Sequence, residues 1–317
     1  MSSMVLDDLA AATSELRELR AGRGNDRRVA FQGERGAFSE EAALKLLGAE
    51  IELVPRPTFD ALFASIDEGL ADYILAPLEN SLAGSVHRSY DLLLRSSLHI
   101  IGEVIIPILH HLIGCPGSGF TDIQVVESHP VALAQCERFF QEHPRLKRLA
   151  TEDTAGSVAD IVQCGDRSRA AIAGRRAAEV YGGVILQEHL EDHPQNYTRF
   201  VLLSAEPQTT HEADKLSLIL KLRHRPAALY HALVPFARRG INLLKIESRP
   251  VPGTPWEYHF YLDLQASTEE SKTLAALNER HACTEEVRVL GCYPSAAQPV
   301  GNSDEQTEKA LAKGLGQ

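Results

Sequence analysis

Short apolar runs alternate with helix-like segments over the first two thirds of this chain, and this alternation restricts the possible folds more than any other feature of the sequence. Residues 29–32 and 73–76 are apolar runs typical of buried strands. Between them, Phe59, Leu62 and Ile66 recur at helical spacing. Strands that alternate with helices predict an α/β fold with parallel sheets that helices cover on both faces.

The sequence changes character near Ser204. Residues 205–214 (AEPQTTHEAD) are polar and read as a linker, and residues 216–292 then follow the order strand, helix, strand, strand, helix, strand, which predicts a ferredoxin-like βαββαβ arrangement. We therefore expect a domain at 28–205 and a second at 215–294. Residues 1–27 are expected to form an extension with a short amphipathic helix, and 295–317 a flexible tail.

Charge and cysteine content narrow the partners and the compartment. The net charge of −11 argues against nucleic acid or an anionic membrane as a partner. The five cysteines are odd in number and form no C-x-x-C pair, which favours a reducing compartment over a zinc knuckle or a disulfide framework. The most apolar stretch, residues 98–115, contains Glu103 and Pro107 and so predicts no membrane span. We expect a soluble, cytoplasmic protein without a metal site.

Polar side chains occur where several predicted strands lead into helices, the place where open parallel sheets bind ligands. N-capping alone could explain the hydroxyl residues among them. The PLENS sequence at 77–81 is harder to explain in that way, because it places a carboxylate, an amide and a hydroxyl side by side. The candidates at these junctions are Ser39, Glu79, Asn80, Ser81, Ser128 and Thr154.

The segment at 196–200 (NYTRF) begins the last strand before the linker. Ordinary β-propensity could explain it, with Thr198 and Phe200 on one strand face. Arg199 is more suggestive, because an arginine at a crevice edge in an acidic protein is a ready carboxylate partner.

These motifs together resemble those of monofunctional prephenate dehydratases with a C-terminal ACT regulatory domain. The resemblance runs in the expected order from about residue 28 to 294. The matching stretches are 33–39 (GERGAFS), 77–81 (PLENS), 128–136 (SHPVALAQC), 153–157 (DTAGS), 196–200 (NYTRF), 225–230 (RPAALY) and 246–250 (IESRP).

The resemblance implies a two-lobed catalytic unit like type 2 periplasmic binding proteins, with residues 105–182 forming one lobe, followed by the ACT domain. It implies conversion of prephenate to phenylpyruvate with loss of carbon dioxide and water, in phenylalanine biosynthesis and without a cofactor. The implied catalytic residues are Thr198, Glu79 and Asn80. The implied substrate-binding residues are Ser39, Ser81, Ser128, Gln135, Thr154, Arg199 and Phe200.

Two side chains compete for the role of proton donor to the departing hydroxyl. The first hypothesis gives that role to Thr198. Because threonine is a poor acid, a buried and protonated Glu79 is the alternative. Arg199 and helix N-termini near Ser39, Ser81 and Thr154 are expected to hold the substrate carboxylates.

The same resemblance implies that phenylalanine binds where two ACT domains meet and inhibits the enzyme. The chain should then be a homodimer or homotetramer, with a neighbour covering the exposed face of each ACT sheet. Ala227 replaces the family's usual glycine, so the sense of regulation stays open. The implied effector residues are Ala228, Leu229, Asn242, Leu243, Glu247, Ser248, Arg249 and Pro250.

Two alternatives remain open at this point. An arogenate dehydratase would perform the same chemistry on a substrate with an amino group, and Ala155, where a second hydroxyl often follows the threonine, does not decide between the substrates. A two-lobed amino-acid-binding protein without catalysis is the third hypothesis, and the complete NYTRF segment argues against it.

Overall fold

The structure, a computed structural model, describes residues 27–208, 210–251, 253–254, 256–279 and 284–297. The predicted N-terminal helix and nearly all of the predicted tail lie outside these residues. Three sheets organise the rest of the chain.

Lobe 1 is built on a mixed sheet with the strand order β2-β1-β3-β11-β5 and a short β4 paired to β3. β1 is parallel to β2 and β3, whereas β11 is antiparallel to both of its neighbours. The strands are β1 (Arg28–Gln32), β2 (Glu52–Arg56), β3 (Tyr73–Asn80), β4 (Gly84–Ser85), β5 (His99–Pro107) and β11 (Tyr197–Ser204). The helices are α1 (Phe38–Leu47), α2 (Phe59–Ala64) and α3 (His87–Arg95).

Lobe 2 is inserted between β5 and β11 and has the strand order β10-β6-β9-β7-β8. Its β7 pairs in parallel with β8 and β9, while β6 is antiparallel to β9 and β10. The strands are β6 (His111–Gly114), β7 (Val125–Ser128), β8 (Lys147–Ala150), β9 (Arg169–Ala173) and β10 (Val184–Gln187). The helices are α4 (Pro130–Ala134), α5 (Glu137–Glu142), α6 (Thr154–Cys164) and α7 (Arg175–Tyr181).

Both sheets are mixed, so the prediction of parallel sheets was wrong. The reason is the route of the chain, which leaves lobe 1 after β5 and returns through β11 beside it. Two segments cross between the lobes: the outgoing crossing (residues 108–110) and the returning crossing (residues 188–196). They run side by side, because the Ile108 amide donates to Asn196 O at 2.8 Å and the Leu190 amide donates to His110 O at 2.8 Å. The described sheet of lobe 2 therefore spans 111–187 rather than 105–182.

Side chains cap the starts of α2, α4 and α6, whereas the N-cap residue of α1 makes no side-chain hydrogen bond. Thr58 caps the start of α2, and its hydroxyl accepts from the Ala61 amide at 3.1 Å. Three other helices use a neighbouring residue as N-cap: Ala37 rather than Ser39, His129 rather than Ser128, and Asp153 rather than Thr154.

The C-terminal domain is the predicted ferredoxin-like unit. Its sheet has the order β13-β14-β12-β15, and every pair is antiparallel. Helices α8 and α9 enclose an apolar core against one sheet face. The elements are β12 (Lys215–Leu222), α8 (Ala228–Ala237), β13 (Asn242–Pro250), β14 (Tyr258–Gln265), α9 (Ser271–Glu279) and β15 (Thr284–Tyr293).

The other face of this sheet packs on lobe 1 of the same chain. Ile219, Tyr261 and Leu290 share one apolar cluster with lobe 1 residues that include Leu78 and Val201. The Tyr261 hydroxyl donates to Tyr90 O at 2.7 Å. The expectation that a neighbouring subunit covers this face was therefore wrong for β12, β14 and β15, because lobe 1 already covers it.

Gly291 marks the closest approach between the C-terminal domain and lobe 1. A Cβ added to Gly291 would lie 1.9 Å from the Ile100 carbonyl oxygen on β5. Because that neighbour is backbone rather than a flexible side chain, the two strands would have to separate to admit a methyl group.

We expect Gly291→Ala to lower the free energy of unfolding by about 1–3 kcal/mol, the usual cost of overpacking. Chemical denaturation followed by fluorescence would measure the change. Gly102→Ala is the matched control, since Gly102 lies on β5 and an added Cβ there meets nothing within 4 Å. Equal stability of the two variants would contradict the close contact.

Candidate active site

Thr198 on β11 and Asn80 on β3 face each other in the sheet of lobe 1. The Asn80 Nδ2 donates to Thr198 Oγ1 at 3.0 Å, and Thr198 is 8% exposed. β3 extends four residues beyond the predicted end at Ala76, so the first four residues of PLENS lie within the strand and only Ser81 follows it.

Backbone amides fix the orientation of the Asn80 side chain. Its Oδ1 accepts from the amides of Leu82 at 3.0 Å and Ala83 at 2.8 Å, so its Nδ2 must face the cluster. Since the Thr198 oxygen accepts from that Nδ2, its own hydrogen remains available. No acceptor for this hydrogen occurs among the described residues, so Thr198 can donate to a ligand.

The hydrogen-bonded network continues from lobe 1 to lobe 2. The Asn80 Nδ2 also donates to Asn196 Oδ1 at 2.7 Å, and the Asn196 Nδ2 donates to Gln135 Oε1 at 3.0 Å. Gln135 ends α4 of lobe 2. The site thus joins a strand of lobe 1, the returning crossing and a helix of lobe 2.

His110 contacts the same glutamine from the outgoing crossing. Its Nε2 lies 2.9 Å from Gln135 Oε1, and its ring meets Phe38 edge to face at 5.7 Å between centroids. Burial lowers the pKa of His110, which keeps the imidazole neutral near pH 7. No role was predicted for His110 or Asn196, although Asn196 opens the NYTRF segment that carries Thr198.

Arg199 lies on the opposite face of β11 from Thr198. Its guanidinium contacts Glu103 and Asp263, each at 2.6 Å, and the Tyr293 hydroxyl at 3.0 Å. Burial works to lower the pKa of Arg199, but Tyr293, Asp263 and Glu103 together raise it well above its usual range. The prediction that Arg199 holds a substrate carboxylate was wrong, because this side chain is committed to the interface with the C-terminal domain.

Glu79 also faces the C-terminal domain. It precedes Asn80 on β3, so its side chain projects from the other strand face, where its Oε1 contacts Lys245 Nζ at 2.7 Å. The carboxyl is about a third exposed, with 37% of its side-chain surface accessible. A charged, solvated carboxylate paired with lysine contradicts the buried and protonated Glu79 of the alternative hypothesis.

Three further predicted residues have structural partners. The buried Ser128 hydroxyl donates to Ile172 O at 2.6 Å, and Phe200 lies in the apolar core of lobe 1. Ser81 links two strands, donating to Gln195 O at 2.9 Å and accepting from the Tyr197 amide at 2.9 Å. These contacts contradict a substrate-binding role for Ser128 and Phe200, whose side chains do not reach the cleft.

Ser39 and Thr154 lie in the first turns of α1 and α6, one helix from each lobe. Ser39 follows Phe38, whose ring contacts His110, and Thr154 follows the capping Asp153. The first turn of a helix presents amide hydrogens that favour anions. Their role in binding stays a prediction.

Metal ligands are not gathered anywhere in the described ranges, where no group of three His, Cys, Asp or Glu side chains could hold an ion. In the same ranges, no helix is long and apolar enough to cross a membrane.

Sequence comparison identifies the family of this chain. The profile of the family described as "PDT: Prephenate dehydratase" matches residues 29–208. These residues include both lobes and the Thr198 cluster, which consists of Thr198, Asn80, Asn196, Gln135 and His110. This chain belongs to the prephenate dehydratase family. It is accordingly a hydro-lyase of the prephenate and arogenate dehydratase group, as the resemblance implied.

Individual relatives agree with this assignment. Arogenate dehydratase/prephenate dehydratase 1, chloroplastic, of Arabidopsis thaliana is 40% identical over 84% of this chain and 72% of its own length. Arogenate dehydratase 2 of Petunia hybrida is 41% identical over 87% of this chain and 73% of its own. The Arabidopsis name places that relative in the chloroplast, and the compartment of this chain stays a prediction.

Solved structures extend the likeness beyond residues 29–208. Prephenate dehydratase from Arthrobacter aurescens in complex with L-Phe is 30% identical, with a TM-score of 0.78 over 91% of this chain and 99% of its own. GqqA, described as a novel type of quorum quenching acylase, is 33% identical, with a TM-score of 0.78 over 85% and 98%.

The predicted effector residues do not converge within one chain. Ala228 and Leu229 line a cavity of about 280 Å³ at the start of α8. Asn242 and Leu243 begin β13, and their register partners are Gln265 and Leu264, at the far end of β14 from the cavity residue Tyr258. The same strand ends at Pro250, beside Tyr258.

The IESRP segment of β13 divides between the two sheet faces. Glu247 Oε2 accepts from the Ser85 hydroxyl at 2.6 Å, and Arg249 contacts both oxygens of Asp91 at 2.9 Å. Both side chains are therefore held by lobe 1. Ser248, between them, lies exposed on the opposite face.

Proposed function

We propose that this chain converts prephenate to phenylpyruvate, carbon dioxide and water, with Thr198 as the donor to the departing hydroxyl. The bond to the ring carboxylate breaks and its electron pair enters the ring. The ring carbon–oxygen bond breaks in turn, and the hydroxyl takes up a proton and leaves as water. Aromatisation drives the reaction, so the protein must orient a dianion and assist the leaving group.

The observation that carries this proposal is that the Thr198 hydroxyl accepts a hydrogen bond and keeps its own hydrogen available to donate. Asn80 supplies its oxygen with a hydrogen bond, which leaves its hydrogen to point away from the strand pair. A donor fixed in this way requires no reorganisation when negative charge develops on the leaving oxygen. Glu79 is not retained as the rival donor, because Lys245 holds it on the other strand face.

The first turns of α1 and α6 are proposed to hold the substrate carboxylates in place of Arg199. The side chains joined around Thr198 (Asn80, Asn196, Gln135 and His110) are neutral amides and a neutral imidazole. Amide hydrogens at a helix start attract carboxylates without a formal charge. Ser39 and Thr154 would add hydroxyl donors there.

The test incubates the purified full chain with prephenate and, separately, with arogenate. Phenylpyruvate is read by its absorbance and phenylalanine by chromatography. Turnover of prephenate with the higher kcat/KM supports the proposal. Preference for arogenate assigns the chain to the other half of the family, and turnover of neither substrate overturns the proposal.

We further propose that phenylalanine inhibits the enzyme through the cavity at the start of α8, formed fully when two copies meet as a homodimer or a homotetramer. Leu229, Tyr230, Trp256 and Tyr258 give the cavity apolar walls suited to an aromatic side chain. Ala227 beside it adopts a left-handed backbone with φ of 61°, the conformation for which the family uses glycine.

Leu229→Asp is expected to raise the phenylalanine concentration for half inhibition by at least tenfold, because a carboxylate in an apolar wall repels the ligand's ring and carboxylate. Activity without phenylalanine should stay at the wild-type level, since Leu229 lies outside the Thr198 cluster. Leu274→Asp, an exposed leucine on α9, is the control. An unchanged response in Leu229→Asp, or no response in the wild type, contradicts the proposed site.

A further inference from the structure

The amide of Gln135 has only one arrangement that satisfies its neighbours. Its Oε1 accepts from Asn196 Nδ2 at 3.0 Å and lies 2.9 Å from His110 Nε2. The Asn196 amide cannot turn over, because its Oδ1 already accepts from Asn80, whose own orientation two backbone amides fix. A turned Gln135 would therefore set its Nε2 against a donor.

His110 must then carry its hydrogen on Nε2. With the opposite tautomer, a ring lone pair would face the Gln135 oxygen, and two acceptors would repel. His110 Nδ1, which is left as the acceptor, is buried without a partner in the described part of the chain. A buried acceptor without a donor costs stability, so this histidine is not explained by packing.

We propose that His110 and Asn196 are positioning residues that fix the Gln135 amide with its Nε2 hydrogens turned toward the substrate. Two donors converge on one oxygen, and no acceptor for the Gln135 Nε2 occurs among the described residues. The amide hydrogens then point away from His110 and Asn196, on a side chain that is only half-buried. This inference rests on the proposed function, because it assigns the substrate as the acceptor.

The proposal explains why a neutral histidine occupies the crossing between the lobes. Its ring contacts Phe38 of lobe 1, its backbone carbonyl accepts from Leu190 of the returning crossing, and its Nε2 reaches Gln135 of lobe 2. A single side chain thus relates the glutamine of one lobe to the first helix of the other.

The test compares His110→Gln with His110→Asn. The Gln Nε2 can reach the position of the histidine Nε2, whereas the shorter Asn side chain places its amide near the position of Nδ1. We expect kcat/KM for prephenate to fall by about 10- to 100-fold in His110→Asn and His110→Phe, as for loss of an orienting hydrogen bond, and to recover in His110→Gln.

Two further readouts separate positioning from a structural role. The melting temperature of His110→Phe should equal or exceed that of the wild type, because the variant removes the unpartnered nitrogen. In a Gln135→Ala background, His110→Phe should cause no further loss of kcat/KM.

Overturning results are equal activity of His110→Gln and His110→Asn, or losses that multiply in the double variant. If His110→Phe does not fold, the Gln and Asn pair still decides. An inactive wild type would instead overturn the proposed function, so the two failures are distinguishable.

Discussion

Thr198→Val is expected to lower kcat for prephenate by about 10²- to 10³-fold, the usual cost of removing one fixed hydrogen-bond donor from a reacting oxygen. Valine keeps the shape of threonine but offers no hydrogen. The Asn80 Nδ2 keeps Asn196 Oδ1 and Tyr197 O as acceptors, so the strand pair should survive the change. Steady-state kinetics and a melting curve on the same preparation measure both effects.

The matched variant is Thr198→Ser, which retains the hydroxyl and should remain within about tenfold of the wild type, less than the loss of the donor itself. The conclusion depends on a higher kcat in Thr198→Ser than in Thr198→Val. Near wild-type kcat in Thr198→Val, with normal folding, would remove Thr198 from the role of donor.

Arg199→Met is expected to destabilise the chain by about 3–5 kcal/mol, the range for breaking a buried ion pair on one side only. The change leaves Asp263 buried with the Ser217 hydroxyl as its hydrogen-bond partner, and leaves Glu103 with Lys215 and the Ala296 amide. Denaturant unfolding at neutral pH measures the loss.

Arg88→Met serves as the surface comparison, because Arg88 pairs with Asp60 where 44% and 60% of the two side chains are exposed. An exposed pair contributes about 0–1 kcal/mol, so this variant should lie close to the wild type. Similar losses of stability in Arg199→Met and Arg88→Met would contradict a larger contribution from the buried ion pairs of Arg199.

The order of elements could be predicted from local patterns, because apolar spacing reports which face of a helix or strand is covered. The ferredoxin-like order of the C-terminal domain was confirmed in this way. Strand direction could not be predicted, since the antiparallel β11 depends on where the chain re-enters lobe 1. β8 was missed because all four of its residues, Lys147–Ala150, are exposed and show no alternation.

The site was only partly predictable for a related reason. Motif resemblance identified Thr198, Asn80 and Gln135, which the structure brings into one hydrogen-bonded network. The resemblance also implied roles for Arg199 and Glu79, although adjacent residues on a strand project from opposite faces of the sheet. That alternation could have separated Thr198 from Arg199, and Asn80 from Glu79, from sequence alone. His110 belongs to the site only because the chain crosses from lobe 1 to lobe 2 at that residue.

The peptide bond between Thr198 and Arg199 joins the hydrogen-bonded network of the site to the interface with the C-terminal domain. One residue reaches toward the cleft and the next is anchored in the C-terminal domain. The peptide unit is planar, and β11 pairs with β3 and β5 at both residues, so the backbone has little freedom to rotate there. A displacement of the β11 backbone at Arg199 therefore also moves the backbone that positions the Thr198 hydroxyl.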